Sequence, residues 1–147
     1  MFVQIDATFP YLIIDITNCM DARVIVIDDD VDTVEVYTAY LKSKGVNVVG
    51  VGYNGLDAVS LYKKLKPDLV LLDVMMPEYN GFYALEQIRK IDSNSKILMA
   101  TADKTEKTRK MLEAAKVNGI VYKPYEINDV LEAVDIIQKG KIVYSAF

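Results

Sequence analysis

Five short apolar runs alternate with five amphipathic helical patterns between Arg23 and Gly140, and this alternation limits the fold more than any other feature. The runs lie at 24–27, 46–51, 69–72, 97–100 and 120–122. Strands separated by helices pair in parallel, because a parallel connection needs a crossover and crossovers are right-handed. The sequence therefore predicts an α/β fold, a doubly wound (βα)5 three-layer sandwich whose parallel sheet has the order 2-1-3-4-5.

The pattern divides the chain into three parts. We interpret residues 1–21 as an N-terminal extension, 22–140 as the domain and 141–147 as a C-terminal tail too short for an output domain. The extension holds two apolar runs that are too short to span a bilayer. They predict an extra strand or an arm packed on the domain. The alternative is that translation starts at Met20 and the extension is absent.

Composition excludes several classes of function. The chain has no histidine, so imidazole cannot serve as catalytic base, zinc ligand or phosphate carrier. Its single cysteine, Cys19, permits no internal disulfide, and the cytoplasm is the default location. The net charge of -4 lacks the basic surface that nucleic acid requires. We therefore expect neither a nucleic-acid nor a membrane partner.

Residues able to bind an ion or a phosphoryl group follow four of the five predicted strands. Asp28 and Asp29 follow the first strand, Asp73 the third, Thr101 the fourth and Lys123 the fifth. In a doubly wound sheet, ligands bind at this edge, where the strand order reverses. With the order 2-1-3-4-5, the reversal lies between the first and third strands, which carry all three carboxylates.

Three clustered carboxylates favour a bound cation. Two unit charges about 4 Å apart repel by roughly 4 kcal/mol at an effective dielectric near 20. Oxygen ligands select a hard divalent ion, with Mg²⁺ favoured over Ca²⁺. Asp73 ends a buried strand before Pro77 and Gly81, which predicts a rigid mount for a nucleophile that forms an aspartyl phosphate. Lys123 and Thr101 would donate to the phosphoryl oxygens.

Each of these residues also has an ordinary structural interpretation. Asp30 and Asp32 are better explained as helix caps or first-turn residues than as ligands. Lys123 alone would be a surface lysine, and Thr101 alone a capping or turn residue. It is their joint placement at successive strand ends that favours a functional site.

Taken together, the sequence resembles the receiver domain of two-component response regulators in its stand-alone, CheY-like form. The resemblance runs from about Arg23 to Lys139. The matching motifs are Asp28-Asp29, Asp73 with Pro77 and Gly81, Thr101-Ala102, and Lys123-Pro124-Tyr125. It implies a signalling domain rather than an enzyme, which accepts a phosphoryl group on Asp73 from a histidine kinase or phosphotransfer protein and acts on a downstream protein.

The resemblance also implies roles for individual residues. Asp29 and Asp73 would ligate Mg²⁺ directly, Asp28 through water, and Met75 through its carbonyl. Lys123 and Thr101 would contact the phosphoryl oxygens, and the Lys123–Pro124 peptide bond would be cis. Homodimerisation through the fourth and fifth helices is common in the family, and the sequence leaves it open.

One position departs from the family pattern. Ile120 stands where the family usually has a tyrosine or phenylalanine that turns inward when the threonine moves. We expect Tyr122 to point to the opposite face of the strand, so that its ring cannot replace the missing aromatic side chain. Signalling is then expected through the loop after Thr101 and the fourth helix. In the family, the two positions that Met75 and Asp103 occupy influence how fast the phosphoryl group is lost. We expect the apolar Met75 to lengthen the lifetime of the phosphorylated state.

Two alternatives come from other classes of protein. An aspartate-nucleophile phosphohydrolase of the haloacid dehalogenase type carries a second aspartate two residues after the nucleophile, a pattern that Asp28 and Asp30 match weakly. A phosphorylation-independent, receiver-like protein-binding module would explain Ile120. The intact set of strand-end residues argues against it.

Overall fold

The computed structural model describes residues 21–124 and 126–144, together with the backbone of the strands β1 (Phe2–Gln4) and β2 (Ile13–Asp15). Tyr125 of the predicted lysine motif, the alternative start at Met20 and the last three residues of the tail lie outside the described residues. Within the described part, no helix has the length and apolar character needed to cross a membrane.

A six-stranded parallel sheet forms the centre of the molecule. Its strands lie in the order β4-β3-β5-β6-β7-β8, which confirms the predicted order for the first five and adds one more. The bounds are β3 Arg23–Ile27, β4 Asn47–Gly52, β5 Leu69–Asp73, β6 Ile97–Thr101, β7 Gly119–Tyr122 and β8 Val143–Tyr144. The strands β1 and β2 form a separate antiparallel pair.

The strand β8 lies within residues 141–147, a segment whose sequence predicts only a C-terminal tail. The Val143 amide donates to the Asn118 carbonyl at 3.0 Å, which starts the pairing beside β7. Two residues are too few to show an alternating pattern. The sequence therefore did not predict this strand.

Five helices cover the two faces of the sheet. They are α1 Val31–Ser43, α2 Gly55–Leu65, α3 Gly81–Ile91, α4 Glu106–Ala114 and α5 Ile127–Gln138. The helices α1 and α5 contribute to one apolar core through residues such as Leu41 and Leu131. The other three contribute to the second core through Ala58, Ile88 and Leu112. The predicted three-layer sandwich is confirmed.

Local sequence explains where the helices begin. The side chains of Asp30, Asn54, Asn80 and Thr105 each accept a hydrogen bond from a backbone amide of the first turn. Asp30 is thus a helix cap, as predicted. The helical pattern of the sequence predicts that Met111, Leu112 and Ala115 face the core. For Met111 this prediction is wrong, because its side chain is 47% exposed while Leu112 is buried in the core.

Candidate functional site

Asp73 is the last residue of β5, and its side chain is almost fully buried. The loop after it returns closely to the strand, because the Gly81 amide donates to the Val74 carbonyl at 2.9 Å. A Cβ atom on Gly81 would lie 2.4 Å from the Asp73 carbonyl oxygen. Only glycine permits this approach, so Asp73 and the start of α3 are held together rigidly.

Asp28 and Asp29 follow β3, the strand beside β5. The Asp28 amide donates to the Gly52 carbonyl at 3.2 Å, and its Oδ1 accepts from the Asp30 amide at 3.0 Å. Asp28 is buried, whereas Asp29 is exposed. One carboxylate oxygen from each of Asp28, Asp29 and Asp73 lies within 4.8 Å of the other two. The three predicted acids therefore form one cluster.

Lys123 reaches this cluster from the end of β7. Its Nζ donates to Asp28 Oδ2 and lies 3.3 Å from Asp73 Oδ1. Its backbone amide donates to the Thr101 carbonyl at 2.8 Å, which ties it to the end of β6. The peptide bond to Pro124 is cis, as the resemblance implied. The fold thus places one cation between two carboxylates.

Thr101 is fully buried at the end of β6 and joins the site to α4. Its Oγ1 accepts a hydrogen bond from the Asp103 amide at 3.0 Å. Asp103 in turn accepts from the Thr108 hydroxyl at 2.5 Å and from the Thr105 amide at 2.8 Å. These hydrogen bonds, that from Thr108 first, lower the pKa of Asp103. The threonine hydroxyl is connected through Asp103 to the first turn of α4.

The electrostatics of the cluster follow from its burial. Burial raises the pKa of Asp73 to about 7, with a further rise from the Asp28 charge and an opposing effect of Lys123. Burial also opposes the charged form of Lys123. The hydrogen bond to Asp28 and the charge of Asp73 nevertheless raise the Lys123 pKa above its ordinary value. Lys123 is therefore a firmly held ammonium group at neutral pH.

The composition of the cluster fits a hard divalent cation. Three carboxylates face one ammonium group, which leaves an excess of negative charge when all are ionised. The available donors are oxygens, as magnesium prefers. Asp29 is exposed and offers an approach from solvent. Met75, whose carbonyl the resemblance adds to the ligand set, lies in the loop after Asp73 with its side chain 66% exposed.

A family model described as the response regulator receiver domain matches residues 24–135. The chain belongs to this family. Among curated relatives, the chemotaxis protein CheY of Thermotoga maritima is 35% identical over 122 residues, which cover 82% of this chain and 100% of that protein. The CheY of Bacillus subtilis is 33% identical over 116 residues, covering 79% of this chain and 97% of that one.

Solved receiver structures share the fold. A response regulator of the LuxR family from Aurantimonas has a TM-score of 0.80 at 26% identity and covers 85% of this chain and 90% of its own. A Borrelia burgdorferi complex described as CheX-CheY-BeF3-Mg+2 contains a chain with a TM-score of 0.72 at 30% identity, covering 77% of this receiver chain and 86% of its own. The acidic cluster thus lies in a fold that this family uses for signalling.

Ile120 and Tyr122 lie on the same face of β7, and the prediction that Tyr122 points away is wrong. Ile120 is buried, and Tyr122 packs against the same apolar core. Residues two apart along a strand share a face. The Tyr122 ring also lies 6.0 Å from the Lys104 Nζ in the loop after Thr101. An aromatic side chain is therefore present beside this loop, two residues along the strand from the position where the family usually has its aromatic residue.

Sequence reasoning missed two features that organise the site. It did not predict the direct pair between Lys123 and Asp28, because topology places strand ends together without specifying side-chain partners. It also missed Asn80, whose side chain accepts from the Tyr83 amide at 3.0 Å and starts α3 beside Gly81. An asparagine directly before a helical pattern is a capping signal that could have found it.

Proposed function

We propose that this receiver domain accepts a phosphoryl group on Asp73 from the phosphohistidine of a histidine kinase or phosphotransfer protein in the cytoplasm. The observation that carries the proposal is the position of Asp73, which ends a buried strand within reach of both Lys123 and the other two carboxylates. The 147 residues contain no histidine, so a phosphohistidine donor does not lie among them.

The three carboxylates would hold Mg²⁺. Asp29 and Asp73 are the direct ligands in this proposal, Asp28 acts through water, and the Met75 carbonyl completes the protein set. Bound Mg²⁺ would neutralise negative charge at the acceptor as the phosphoryl group arrives. The excess of carboxylates over ammonium groups and the all-oxygen donor set support this assignment.

In the transfer step, a carboxylate oxygen of Asp73 attacks phosphorus. An O–P bond forms, the N–P bond of the donor breaks, and its electron pair returns to the imidazole nitrogen, which takes a proton from solvent. Lys123 and the Thr101 hydroxyl would receive the phosphoryl oxygens. Lys123 already lies beside Asp73, so it needs only to exchange one anionic partner for another.

Phosphorylation of Asp73 would be transmitted to the surface of the domain through Thr101. Its Oγ1 accepts from the Asp103 amide before phosphorylation. A hydroxyl that turns to a phosphoryl oxygen alters this connection, and Asp103 carries the change to Thr105 and Thr108 at the start of α4. The loop 102–105 and α4 would then present a different surface to a downstream protein.

Intact-mass analysis tests the proposal. The protein is incubated with acetyl phosphate and Mg²⁺, and Asp73→Asn is treated in parallel. We expect one phosphoryl adduct on the wild-type protein and none on the variant or in EDTA. The isosteric amide keeps the shape of the site while removing the nucleophilic charge.

The outcomes separate the candidate functions. An adduct on Asp73→Asn would contradict the assignment of Asp73. Absence of any adduct on the wild-type protein would favour the phosphorylation-independent binding module. Sustained turnover of a generic phosphate ester would indicate a phosphohydrolase.

A further inference from the structure

The helix α5 has an unusual burial pattern for a helix on the outside of a sheet. Each residue from Ile127 to Gln138 is buried or half-buried, whereas every other helix has exposed residues. The buried residues Val130 to Ile137 span about 200° of the circumference at 3.6 residues per turn. A helix packed on one sheet needs an apolar stripe only somewhat wider than about 100°. A second layer therefore covers α5.

Polar groups on α5 give the same indication. Asp135 is only 7% exposed although its side chain is ionisable. Its Oδ1 is shielded from solvent. Ile136 is half-buried without belonging to either of the two cores that flank the sheet. Asp135 and Ile136 lie outside the arc of α5 residues that belong to the core beside the sheet, which indicates cover from outside the (βα)5 layers.

The strand β2 is in the right place to be this cover. Cα atoms of β2 lie within 8 Å of Cα atoms of α5. Among the strands that the structure describes, β1 and β2 pair with each other and are not part of the six-stranded sheet. An isolated two-stranded hairpin is marginally stable in water at best. The hairpin therefore needs a surface to pack on, and α5 is the surface beside it.

We propose that the N-terminal β1–β2 hairpin docks within its own chain on the outer face of α5 and withholds that face from other proteins. None of the strands that the structure describes covers α4 in this way, and its residues Lys107, Arg109, Lys110 and Met111 are exposed. Docking does not depend on phosphorylation. Only its consequence for signalling, that partners are directed to α4 and the loop before it, depends on the proposed function.

Hydrogen exchange on the full chain tests the docking. In the wild-type protein we expect the amides of β2 to be protected. In Ile136→Glu, which places a charge on the outer face of α5, this protection should fall by about tenfold or more. Ile91→Glu is the matched control, because Ile91 is 44% exposed on α3, and it should leave β2 unchanged. Unchanged protection of β5 in both variants shows that the domain remains folded.

A second variant and a second readout cover the case in which Ile136→Glu disturbs the helix itself. Glu132→Lys changes another residue on the outer face of α5 and should also lower the protection of β2. As the second readout, chemical labelling of the Asp129 carboxyl group should become faster when the hairpin no longer covers α5. Rapid exchange of β2 in the wild-type protein, or full protection in both α5 variants, would overturn the proposal. Protection that disappears on dilution would assign the docking to a second copy instead and overturn the intramolecular contact.

Discussion

The ammonium nitrogen of Lys123 lies 3.3 Å from a carboxylate oxygen of Asp73 while it also donates to Asp28. One cation is thus shared between the residue proposed as phosphoacceptor and a residue proposed to hold Mg²⁺. Lys123 reaches both because its strand β7 is anchored to β6 through the Thr101 carbonyl. The arrangement keeps a donor close to the place where phosphoryl oxygens would lie.

Replacing Lys123 should impair phosphoryl transfer more than binding of the cation. In Lys123→Met we expect the rate of adduct formation from acetyl phosphate to fall by about a hundredfold, because a positioned donor to the phosphoryl oxygens is lost. Intact-mass time courses give the rate. Lys63→Met, an exposed lysine on α2, is the control. Equal rates for the two variants would show that Lys123 has no part in the transfer.

The raised pKa of Asp73 predicts a pH-dependent effect on stability in EDTA. Its pKa is about 7 in the folded protein against 3.8 as the ordinary value, so the folded state holds the proton more tightly. Ionised Asp73 therefore destabilises the fold, with no effect below pH 4, a growing effect from pH 4 to 7 and the full effect above pH 7. Asp73→Asn removes this effect.

We expect Asp73→Asn to be more stable than wild type by about 1–2 kcal/mol at pH 8, where Lys123 and nearby solvent offset part of the burial effect. The gain should shrink at pH 4.5. Urea unfolding in EDTA at both pH values measures the difference. A gain of the same size at the two pH values would show that titration of Asp73 is not its source.

The close approach of Gly81 to Asp73 predicts a stability effect that also reaches the site. A Cβ atom there would meet the Asp73 carbonyl oxygen at 2.4 Å and the Val74 Cα at 2.9 Å, and both are backbone atoms. Gly81→Ala should destabilise the protein by about 1–3 kcal/mol and slow adduct formation, because the Asp73 backbone must shift.

Gly140→Ala provides the comparison for Gly81. Gly140 has a φ of +79° with open space around its Cβ position, so it tests backbone strain alone. Thermal unfolding and the mass assay together separate the two variants. Loss of stability in both, with slower adduct formation only for Gly81→Ala, is the expected pattern. Unimpaired adduct formation in Gly81→Ala would contradict a rigid mount for Asp73.

Met75 should prolong the life of the phosphorylated state. Its apolar side chain is 66% exposed in the loop that follows Asp73. We expect it to restrict the approach of water to the phosphorylated Asp73. Met75→Asn offers a hydrogen-bonding group that can hold an attacking water, so we expect the adduct to decay several-fold faster after the donor is removed. Met111→Asn, an exposed methionine on α4, should decay at the wild-type rate. Equal lifetimes for the wild-type protein and Met75→Asn would exclude this role.

The features that topology determines were predictable from sequence. Parallel strands share one edge for their carboxyl ends, so Asp28, Asp73, Thr101 and Lys123 had to lie on that edge once the alternation of runs and helices was recognised. The cap at Asp30 follows from its chemistry at the start of a helical pattern. These inferences needed no knowledge of side-chain packing.

The features that packing determines were not predictable in the same way. Met111 and Leu112 are adjacent on a highly charged helix, and only contact with the sheet decides that Leu112 faces inward. The strand β8 is two residues long, and the Val143 amide donates to the Asn118 carbonyl at its start. The placement of Tyr122 was an error of a different kind, since the two-residue period of a strand already puts it on the side of Ile120.

The decisive measurement is the identity of the residue that carries the phosphoryl group. The protein is phosphorylated with acetyl phosphate and Mg²⁺, reduced with borohydride, which converts an aspartyl phosphate to homoserine, and digested for peptide mapping. We expect homoserine at position 73 alone. Homoserine at position 28 or 29 instead, with Asp73 unchanged, would contradict it.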